Sequence, residues 1–288
     1  MNDLNFNEIL RSDAPVHLIG IGGVSMRALA KMLKNMGANV RGSDRDSSIY
    51  TLQLDEQGIP VAIGHRPDNV RDAGLIIRTA AIHDDNPEIA AARAAGIPVI
   101  SRAEAWGFIM AHYSKVVCIS GTHGKTSTTA MIATFTQSAQ LDPTVMVGGD
   151  LPSIGGTLRI GEGDLFVAEA CEYQNSFLSF RPTVSVILNI DRDHLDFFKD
   201  LDDIRRSFRK FAQLIPADGA LIINTQIPDY EEISGGLDCR VILYGPDDSA
   251  DYWPENITYD QFARASYTLC SRSADGTVNR QEITLGVP

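Results

Sequence analysis

The sequence predicts an α/β protein of two domains, each built on a mainly parallel sheet, with antiparallel strands appended to the second domain. Three observations predict this class. Short apolar runs alternate with helical patterns through most of the chain, which is typical of parallel sheets. The length of 288 residues exceeds what one hydrophobic core usually serves. From residue 256 onward, apolar and polar residues alternate around an Asp-Gly pair at 275–276, as in β-hairpins.

The first domain, predicted over residues 1–111, opens with a strand–helix–strand unit. The run "VHLIGIGG" predicts a strand that ends in glycines, and the next residues place apolar side chains at helical spacing until Gly37. "NVRGSD" and "GLIIRTAAI" predict two further strands. "NPEIAAARAAG" predicts a helix with proline near its start and glycine after its end, and "IPVISRAEAWGFIM" predicts a strand and then a helix.

The second domain, predicted over residues 112–288, begins with the strand "VVCIS", which leads into a glycine-rich loop and the helix "KTSTTAMIATFTQSA". Further strands are predicted at "DLFVAEA", "TVSVILNI", "ALIIN" and "RVILYG", with a helix at "DIRRSFRKFAQLI". The strand pattern at "LGVP" continues to the last residue, Pro288. We therefore expect a truncated form of a longer polypeptide.

The composition excludes several classes of protein. The net charge of −12 disfavours nucleic-acid binding, which needs clustered Lys and Arg. No apolar run reaches the roughly 18 residues of a membrane span, and the N-terminus has neither the basic start nor the apolar stretch of a secretory signal. The four cysteines form no C-x-x-C pair, so we expect reduced and mostly buried thiols in a cytoplasmic protein.

A glycine loop, "GIGGVS", follows the first predicted strand and opens a helix. Glycines here let the backbone approach a diphosphate at the helix N-terminus, although a tight turn with a purely structural role is the alternative. Asp44 follows the second strand, where an acid commonly meets a ribose. Ser25 stands where a nicotinamide-cofactor fingerprint has its third glycine, which argues against that cofactor.

A second glycine loop, "GTHGKT", lies between a strand and a helix, the context of a phosphate-binding P-loop. The loop is short, because Ile119 stands where the usual pattern has its first glycine, and it carries His123. Lys125 is expected near the β- and γ-phosphates of a nucleotide, and the Thr126 hydroxyl can ligate Mg²⁺. The alternative is a chance occurrence of Gly-Lys-Thr.

Polar residues crowd the ends of two later strands. Glu169 ends "DLFVAEA", where a carboxylate on a strand next to the P-loop strand would face Mg²⁺ and the γ-phosphate, whereas Glu172 has either a structural or a solvent-facing role. Past the strand "TVSVILNI" stand Asn189, Asp191, Asp193, His194 and Asp196. His194 alone could cap a helix, but the cluster favours metal or phosphate ligands. Of the other histidines, His17 is predicted to be packed in its strand, His83 and His112 to lie on the surface or in a linker, and His65 to face a cleft.

Together these motifs resemble the Mur ligase family. They are "HLIGIGGVSM" (17–26), "GSD" (42–44), "DDNPE" (84–88), "GTHGKTSTTAMI" (121–132), "EACEYQNSFL" (169–178) and "NIDRDHLD" (189–196). The resemblance implies a Rossmann-like domain for a UDP-sugar, a P-loop domain for ATP and a C-terminal domain for the amino acid, of which this chain has the first two. Many members read Glu-Ala-Asp-Glu-Ser-Asp where this chain has "EACEYQ".

The resemblance also implies an activity in peptidoglycan precursor synthesis. ATP phosphorylates the carboxylate of UDP-N-acetylmuramate, and L-alanine attacks the acyl phosphate to form an amide; the truncated chain is expected to bind the sugar nucleotide but to be inactive alone. Lys125, His194 and Glu169 are the implied catalytic residues, and Thr126, Glu169 and His194 the implied Mg²⁺ ligands. The implied ATP-binding residues are Gly121, Thr122, His123, Gly124, Lys125, Thr126 and Ser127. The UDP-sugar candidates are Gly20, Gly22, Gly23, Ser43, Asp44, His65, Thr79 and His123.

Three alternatives remain open at the level of the sequence. A ligase that joins a recycled tripeptide to the same sugar nucleotide has a similar first domain. A non-catalytic UDP-sugar-binding module is disfavoured because Lys125, Thr126, Glu169 and His194 are all present. A nicotinamide-dependent dehydrogenase is disfavoured by Ser25 and by the second phosphate loop.

Overall fold

In the computed structural model, residues 6–286 are described. The chain forms two compact units. One comprises the residues up to 114 together with 132–166, and the other comprises 115–131 and the residues from 167 onward. Among the described residues, no helix combines the length and the apolar character that crossing a membrane requires.

The first unit contains a five-stranded parallel sheet with the strand order β3-β2-β1-β4-β5, so the predicted parallel sheet is confirmed. β1 is buried along its whole length, as expected for a central strand covered on both faces. The elements are α1 (Phe6–Arg11), β1 (Val16–Ile19), α2 (Val24–Asn35), β2 (Val40–Asp44), α3 (Ile49–Glu56), β3 (Val61–Ile63), a 3₁₀ turn (Pro67–Val70), β4 (Leu75–Arg78), α4 (Pro87–Ala94), β5 (Val99–Ser101) and α5 (Arg102–Met110).

The second sheet has ten strands in the order β15-β14-β13-β12-β11-β10-β6-β9-β7-β8. Strands β6, β10, β11 and β12 pair in parallel, as the sequence predicts. The elements are β6 (Lys115–Ser120), α6 (Lys125–Ser138), β7 (Thr144–Leu151), β8 (Gly156–Arg159), β9 (Leu165–Glu169), a 3₁₀ segment (Tyr173–Ser179), β10 (Val184–Ile187), α7 (Leu201–Ala212), β11 (Ala220–Asn224), α8 (Glu231–Ser234), β12 (Arg240–Tyr244), β13 (Tyr252–Tyr259), β14 (Ala265–Arg272) and β15 (Val278–Thr284).

The appended antiparallel strands are confirmed, because β13 pairs with β14 and β14 with β15, both antiparallel. Asp275 and Gly276 lie in the turn between β14 and β15, where Gly276 has φ +85°. β15 ends at Thr284, and the last two residues, 287 and 288, to which the strand was predicted to continue, lie outside the described residues.

The cysteines agree with the prediction of reduced, mostly buried thiols. Cys118, Cys239 and Cys270 are buried, Cys171 is half-buried, and all four are free. Burial raises the pKa of the Cys118 thiol far above its usual range and also raises the pKa of Cys171. Cys118 and Cys171 are therefore poor nucleophiles at neutral pH.

Candidate active site

The phosphate loop runs from β6 to α6 with backbone conformations that favour glycine. Gly121 has φ +141° and Gly124 has φ +81°. A Cβ atom on Gly121 would lie 3.0 Å from the Cβ of Leu188 and 3.1 Å from the backbone nitrogen of Asn189. The glycine is therefore required both by its dihedral angle and by the close approach of the chain that follows β10.

Asn189 fixes the loop through both its side chain and its backbone. The backbone N–H of His123 donates to Asn189 Oδ1 at 2.7 Å, and Asn189 Nδ2 donates back to the His123 carbonyl at 3.0 Å. The Thr122 N–H donates to the Asn189 carbonyl at 3.1 Å, and the Asp191 N–H donates to Thr122 Oγ1 at 2.8 Å. The polar segment after β10 thus holds the phosphate loop in one conformation.

Lys125, the first residue of α6, lies over the loop and against Glu172. Its Nζ donates to the carbonyl oxygens of Gly121 and Thr122 at 2.5 and 3.2 Å, and it lies 3.0 Å from Glu172 Oε2. The Glu172 side chain is only 2% exposed, so the solvent-facing alternative for this residue is wrong. A buried carboxylate beside a loop lysine offers a fixed ionic partner for that cation.

Glu169 ends β9, the strand next to β6, at the position predicted for a carboxylate facing the loop. The Thr126 hydroxyl donates to Glu169 Oε2 at 3.0 Å. The same strand end is tied to β6, because the Ala170 N–H donates to the Ile119 carbonyl at 2.8 Å. The two side chains predicted to share a metal therefore lie in direct contact.

His194 follows β10, which lies on the other side of β6 from β9, and its imidazole approaches Glu172. Its Nε2 lies 3.9 Å from Glu172 Oε1 and 3.9 Å from Asp193 Oδ2. The ligand atoms of Glu172, Asp193 and His194 all lie within 4.8 Å of one another. His194 has φ +51°, a left-handed conformation that is uncommon for a non-glycine residue and often marks a functional position.

Tyr173 packs on this histidine. The two ring centroids are 4.5 Å apart, and the Tyr173 hydroxyl donates to Asp196 Oδ2 at 2.7 Å. That hydrogen bond raises the pKa of Tyr173. The tyrosine thereby links the imidazole to a second carboxylate of the "NIDRDHLD" segment.

The residues at this site have the donors that Mg²⁺ prefers. Hydroxyl and carboxylate oxygens are its usual protein ligands, and two adjacent ligands of an octahedral Mg²⁺ at about 2.1 Å lie roughly 3 Å apart. Thr126 Oγ1 and Glu169 Oε2 have that separation. Glu172 adds a buried carboxylate, while His194 contributes nitrogen, a less favoured donor for this ion.

The first glycine loop joins β1 to α2 in the other unit. Gly20 has φ +79°, and a Cβ atom there would lie 2.8 Å from Thr79 Cγ2, which places these two candidates side by side. The Gly22 N–H donates to Asp44 Oδ2 at 2.8 Å. Gly23 is the N-cap of α2 and supplies no side-chain cap, and the first turn carries no acidic residue. The helix N-terminus is therefore electrostatically suited to an anion.

Ser43 and His65 meet at a residue that sequence reasoning did not assign, Glu88. Ser43 is fully buried, and its hydroxyl donates to Glu88 Oε2 at 2.7 Å. His65 Nδ1 lies 2.9 Å from the same oxygen. Burial favours a higher pKa for Glu88, but interactions with His17, Ser43 and Asn69 outweigh it and lower the pKa to about 2.

The contacts of two residues in the first unit, Glu88 and Arg102, are hard to predict from the sequence. Glu88 follows Asn86 and Pro87, an ordinary helix start in which an acid in the first turn is expected on the surface. Arg102 begins α5 and donates a hydrogen bond from its guanidinium to Ser25 Oγ, beside the glycine loop. Nothing in the local pattern of "SRAEAW" indicates that contact, because the two residues are 77 positions apart.

The two sheets and their two glycine loops define the class of α/β proteins with a phosphate-binding loop. The profile described as "Mur ligase family, catalytic domain" matches residues 15–114, and that of the "Mur ligase middle domain" matches residues 119–281. The chain therefore belongs to the Mur ligase family, and the resemblance inferred from the motifs is confirmed.

Curated relatives agree with this assignment. The chain is 53% identical over 254 residues to a UDP-N-acetylmuramate–L-alanine ligase of Agathobacter rectalis, covering 88% of this chain and 55% of that protein. It is 48% identical over 290 residues to the protein of the same name from Lachnospira eligens, covering all of this chain and 61% of the relative. The chain thus spans somewhat more than half the length of the curated relatives that it matches.

Solved structures show the same fold. UDP-N-acetylmuramate-alanine ligase MurC from Thermotoga maritima matches with a TM-score of 0.76 at 28% identity, over 95% of this chain and 61% of that one. The UDP-N-acetylmuramate:L-alanyl-gamma-D-glutamyl-meso-diaminopimelate ligase from Neisseria meningitides matches with a TM-score of 0.80 at 25% identity, over 93% of this chain and 86% of that one.

Proposed function

We propose that this protein takes part in the ATP-dependent ligation of L-alanine to UDP-N-acetylmuramate, by way of an acyl phosphate, in peptidoglycan precursor synthesis. The observation that carries the proposal is the meeting of Lys125 and Thr126 with Glu169, Glu172 and His194 at the mouth of the phosphate loop. The printed names of relatives at 53% and 48% identity support the substrate assignment.

The proposal divides the ligands between the two predicted domains. Residues 1–111 bind UDP-N-acetylmuramate through the glycine loop, whose helix N-terminus suits a diphosphate. Residues 112–288 bind ATP through the loop from Gly121 to Ser127, with His123 reaching toward the muramyl group. Both ligands are cytoplasmic metabolites, and we place the protein in the cytoplasm on that ground.

The chemistry needs two anions, a carboxylate and a γ-phosphate, to approach each other. One carboxylate oxygen forms a bond to the γ-phosphorus while the bond to the β-phosphate oxygen breaks and ADP leaves. The amine of L-alanine then attacks the acyl carbon, loses a proton and displaces phosphate. Lys125 neutralises the transferring phosphoryl group, and backbone N–H groups of the loop hold its oxygens.

Mg²⁺ belongs to this proposal because the residues present fit it. Thr126 and Glu169 would hold one ion, and His194 would hold a second. Glu172 is a further candidate ligand because its buried carboxylate lies between Lys125 and His194. When bound, the ion supplies positive charge that offsets the repulsion between the carboxylate and the phosphate. In the structure Lys125 is paired with Glu172, and the Thr126 hydroxyl donates a hydrogen bond to Glu169.

The decisive experiment separates the two binding functions. Lys125→Ala should weaken the binding of Mg²⁺-ATP at least tenfold, since one charge-assisted contact to phosphate is worth about 1.5–3 kcal/mol, and should leave UDP-N-acetylmuramate binding unchanged. Calorimetry with each ligand measures both. Lys115→Ala, at the exposed opposite end of β6, is the matched control. Equal loss of both ligands in Lys125→Ala would refute the proposed division.

A tripeptide ligase of cell-wall recycling is the second candidate, favoured by the TM-score of 0.80 to the Neisseria protein. Mass spectrometry of reactions that contain UDP-N-acetylmuramate, Mg²⁺-ATP and either L-alanine or the tripeptide distinguishes the two. An amide formed with L-alanine supports the proposal. An amide formed only with the tripeptide would identify the protein as a tripeptide ligase of cell-wall recycling instead.

A further inference from the structure

A buried carboxylate in the first unit fixes the proton position of a partly exposed histidine. Glu88, at the start of α4, has no exposed surface. Its Oε2 receives the Ser43 hydroxyl at 2.7 Å and lies 2.9 Å from His65 Nδ1. Its Oε1 receives Asn69 Nδ2 at 2.5 Å and lies 3.7 Å from His17 Nε2. The carboxylate thus contacts side chains of β1, β2, the loop after β3 and the 3₁₀ turn.

The contact with Glu88 fixes the tautomer of His65. An ionised carboxylate can only accept hydrogen bonds, and interactions with its neighbours keep Glu88 ionised, with a pKa of about 2. The short contact therefore requires a hydrogen on Nδ1 of His65. In the neutral ring, the other nitrogen, Nε2, then carries a lone pair and accepts hydrogen bonds.

The acceptor nitrogen is free to meet a ligand. His65 Nε2 has no hydrogen-bond partner among residues 6–286 and is not one of the enclosed unpartnered atoms, and the side chain keeps 16% of its surface exposed. His65 follows β3, which pairs with β2 next to Asp44. In nucleotide-binding sheets of this type the ribose lies at the end of β2, so the base extends past it toward the neighbouring strand.

We propose that Glu88 holds His65 as an Nδ1-protonated neutral imidazole whose Nε2 accepts the N3–H of uracil. Uracil presents one N–H donor between two carbonyl acceptors, so a protein acceptor at this position can pair only with that N–H. Cytosine has an acceptor at N3, so its N3 lone pair would face the lone pair of His65 Nε2 and no hydrogen bond could form between them. His65 is then a specificity-determining residue. Glu88 is the positioning residue, because it fixes which ring nitrogen of His65 donates a hydrogen bond and which accepts one.

The inference rests on the proposed binding of a UDP-sugar to the first unit, and its test has one part that needs no ligand. Nitrogen-15 NMR of the imidazole nitrogens at pH 8 reports both the tautomer and the protonation state of His65 directly. The His65 signals are assigned by their disappearance in His65→Phe. We expect an Nδ1–H ring in the unmodified chain and a shift of the population toward Nε2–H in Glu88→Gln. An Nε2–H or doubly protonated ring in the unmodified chain would overturn the proposal.

The second part measures base recognition by calorimetry with UDP and with 3-methyluridine 5′-diphosphate. The unmodified chain should prefer UDP by roughly tenfold, the equivalent of about 1.4 kcal/mol for one lost hydrogen bond with its acceptor left unpaired. His65→Phe should bind the two nucleotides within twofold of each other. His83→Ala, which removes an exposed histidine of the same unit, should keep the full preference.

The outcomes separate this inference from the proposed function. If UDP and UDP-N-acetylmuramate fail to bind the unmodified chain, the proposed function itself is wrong. If both bind but the methylated nucleotide binds equally well, or if His65→Phe keeps the preference, only the role of His65 is refuted. Because Glu88→Gln removes a buried charge and can destabilise the fold, the unmodified chain and His65→Phe carry the test on their own.

Discussion

At the scale of single residues, Glu88 gives the first unit a specific acid sensitivity. Its pKa falls from the ordinary 4.5 to about 2 on folding, so the stabilisation is fully present above pH 4.5 and is lost as the pH falls toward 2. The shift corresponds to about 3 kcal/mol. We expect the free energy of unfolding, measured with urea, to fall more steeply between pH 4.5 and 3 in the unmodified chain than in Glu88→Gln.

The control for this measurement is Glu232→Gln, which alters an exposed carboxylate on α8. It should retain the steep acid dependence of the unmodified chain. Parallel curves for the unmodified chain and for Glu88→Gln would show that Glu88 does not bring about the acid sensitivity.

The functional residues differ in how far they could be predicted from the sequence. Lys125 and Thr126 could be predicted because the chemistry of a phosphate loop is local: the glycines, the lysine and the threonine follow one another. Glu172 lies 47 positions from Lys125, and Glu88 lies 45 positions from Ser43. Their roles depend on which strands are adjacent and on which side chains are buried, and neither property follows from the residues next to them in sequence.

At the scale of elements, most strands of both sheets were predictable because their apolar runs are short and continuous and end at glycine or at a turn. The hairpin of β7 and β8 was not predicted, since its residues include Gly148, Gly149, Gly155 and Gly156 and show no sustained alternation. Helix α3 also has no counterpart in the prediction. Its buried residues are only Thr51 and Leu54, so its apolar face is short.

The connection of β6 to α6 leads to a prediction about the phosphate loop. Gly121→Ala combines an unfavourable φ of +141° with contacts near 3 Å to Leu188 and Asn189. We expect it to lower the free energy of unfolding by about 2 kcal/mol and to weaken Mg²⁺-ATP binding, because the loop must move away from Asn189. Urea denaturation and calorimetry measure the two effects.

Gly236→Ala is the matched control in the same unit. Gly236 has φ +66°, but a Cβ atom there would meet nothing within 4 Å, so only the cost of the left-handed conformation remains, about 1 kcal/mol. Nucleotide binding should be unaffected. If Gly121→Ala costs no more than Gly236→Ala, the close approach of the chain after β10 is not what requires a glycine in the loop.

At the scale of the whole molecule, the two units allow each proposed ligand to be detected separately. A ligand at a hundred times its Kd stabilises the folded protein by about 2.7 kcal/mol, and exchange slows first where the backbone is contacted. We expect UDP-N-acetylmuramate to protect the amides of residues 20–25 and 61–66 from hydrogen exchange. Mg²⁺ with a non-hydrolysable ATP analogue should protect residues 121–128.

Mass spectrometry of hydrogen exchange with each ligand in turn provides this measurement. Residues 278–284, in β15, serve as the internal reference that neither ligand should change. Protection of the first glycine loop by the ATP analogue, or of residues 125–128 by the sugar nucleotide alone, would contradict the assignment of ligands to units.

Strand β15 lies at one border of the ten-stranded sheet within the described residues, and its sequence has a consequence for how the protein behaves at high concentration. An open strand border can recruit the same border of another molecule and seed fibrils. Here the central residues are Asn279, Arg280, Gln281 and Glu282, all four of which are exposed, and Arg280 is ion-paired to Glu255 at 3.2 Å. These exposed polar and charged side chains disfavour edge-to-edge pairing of β15 with the same strand of another molecule. We therefore expect this strand to stay unpaired at its outer edge even in concentrated solution.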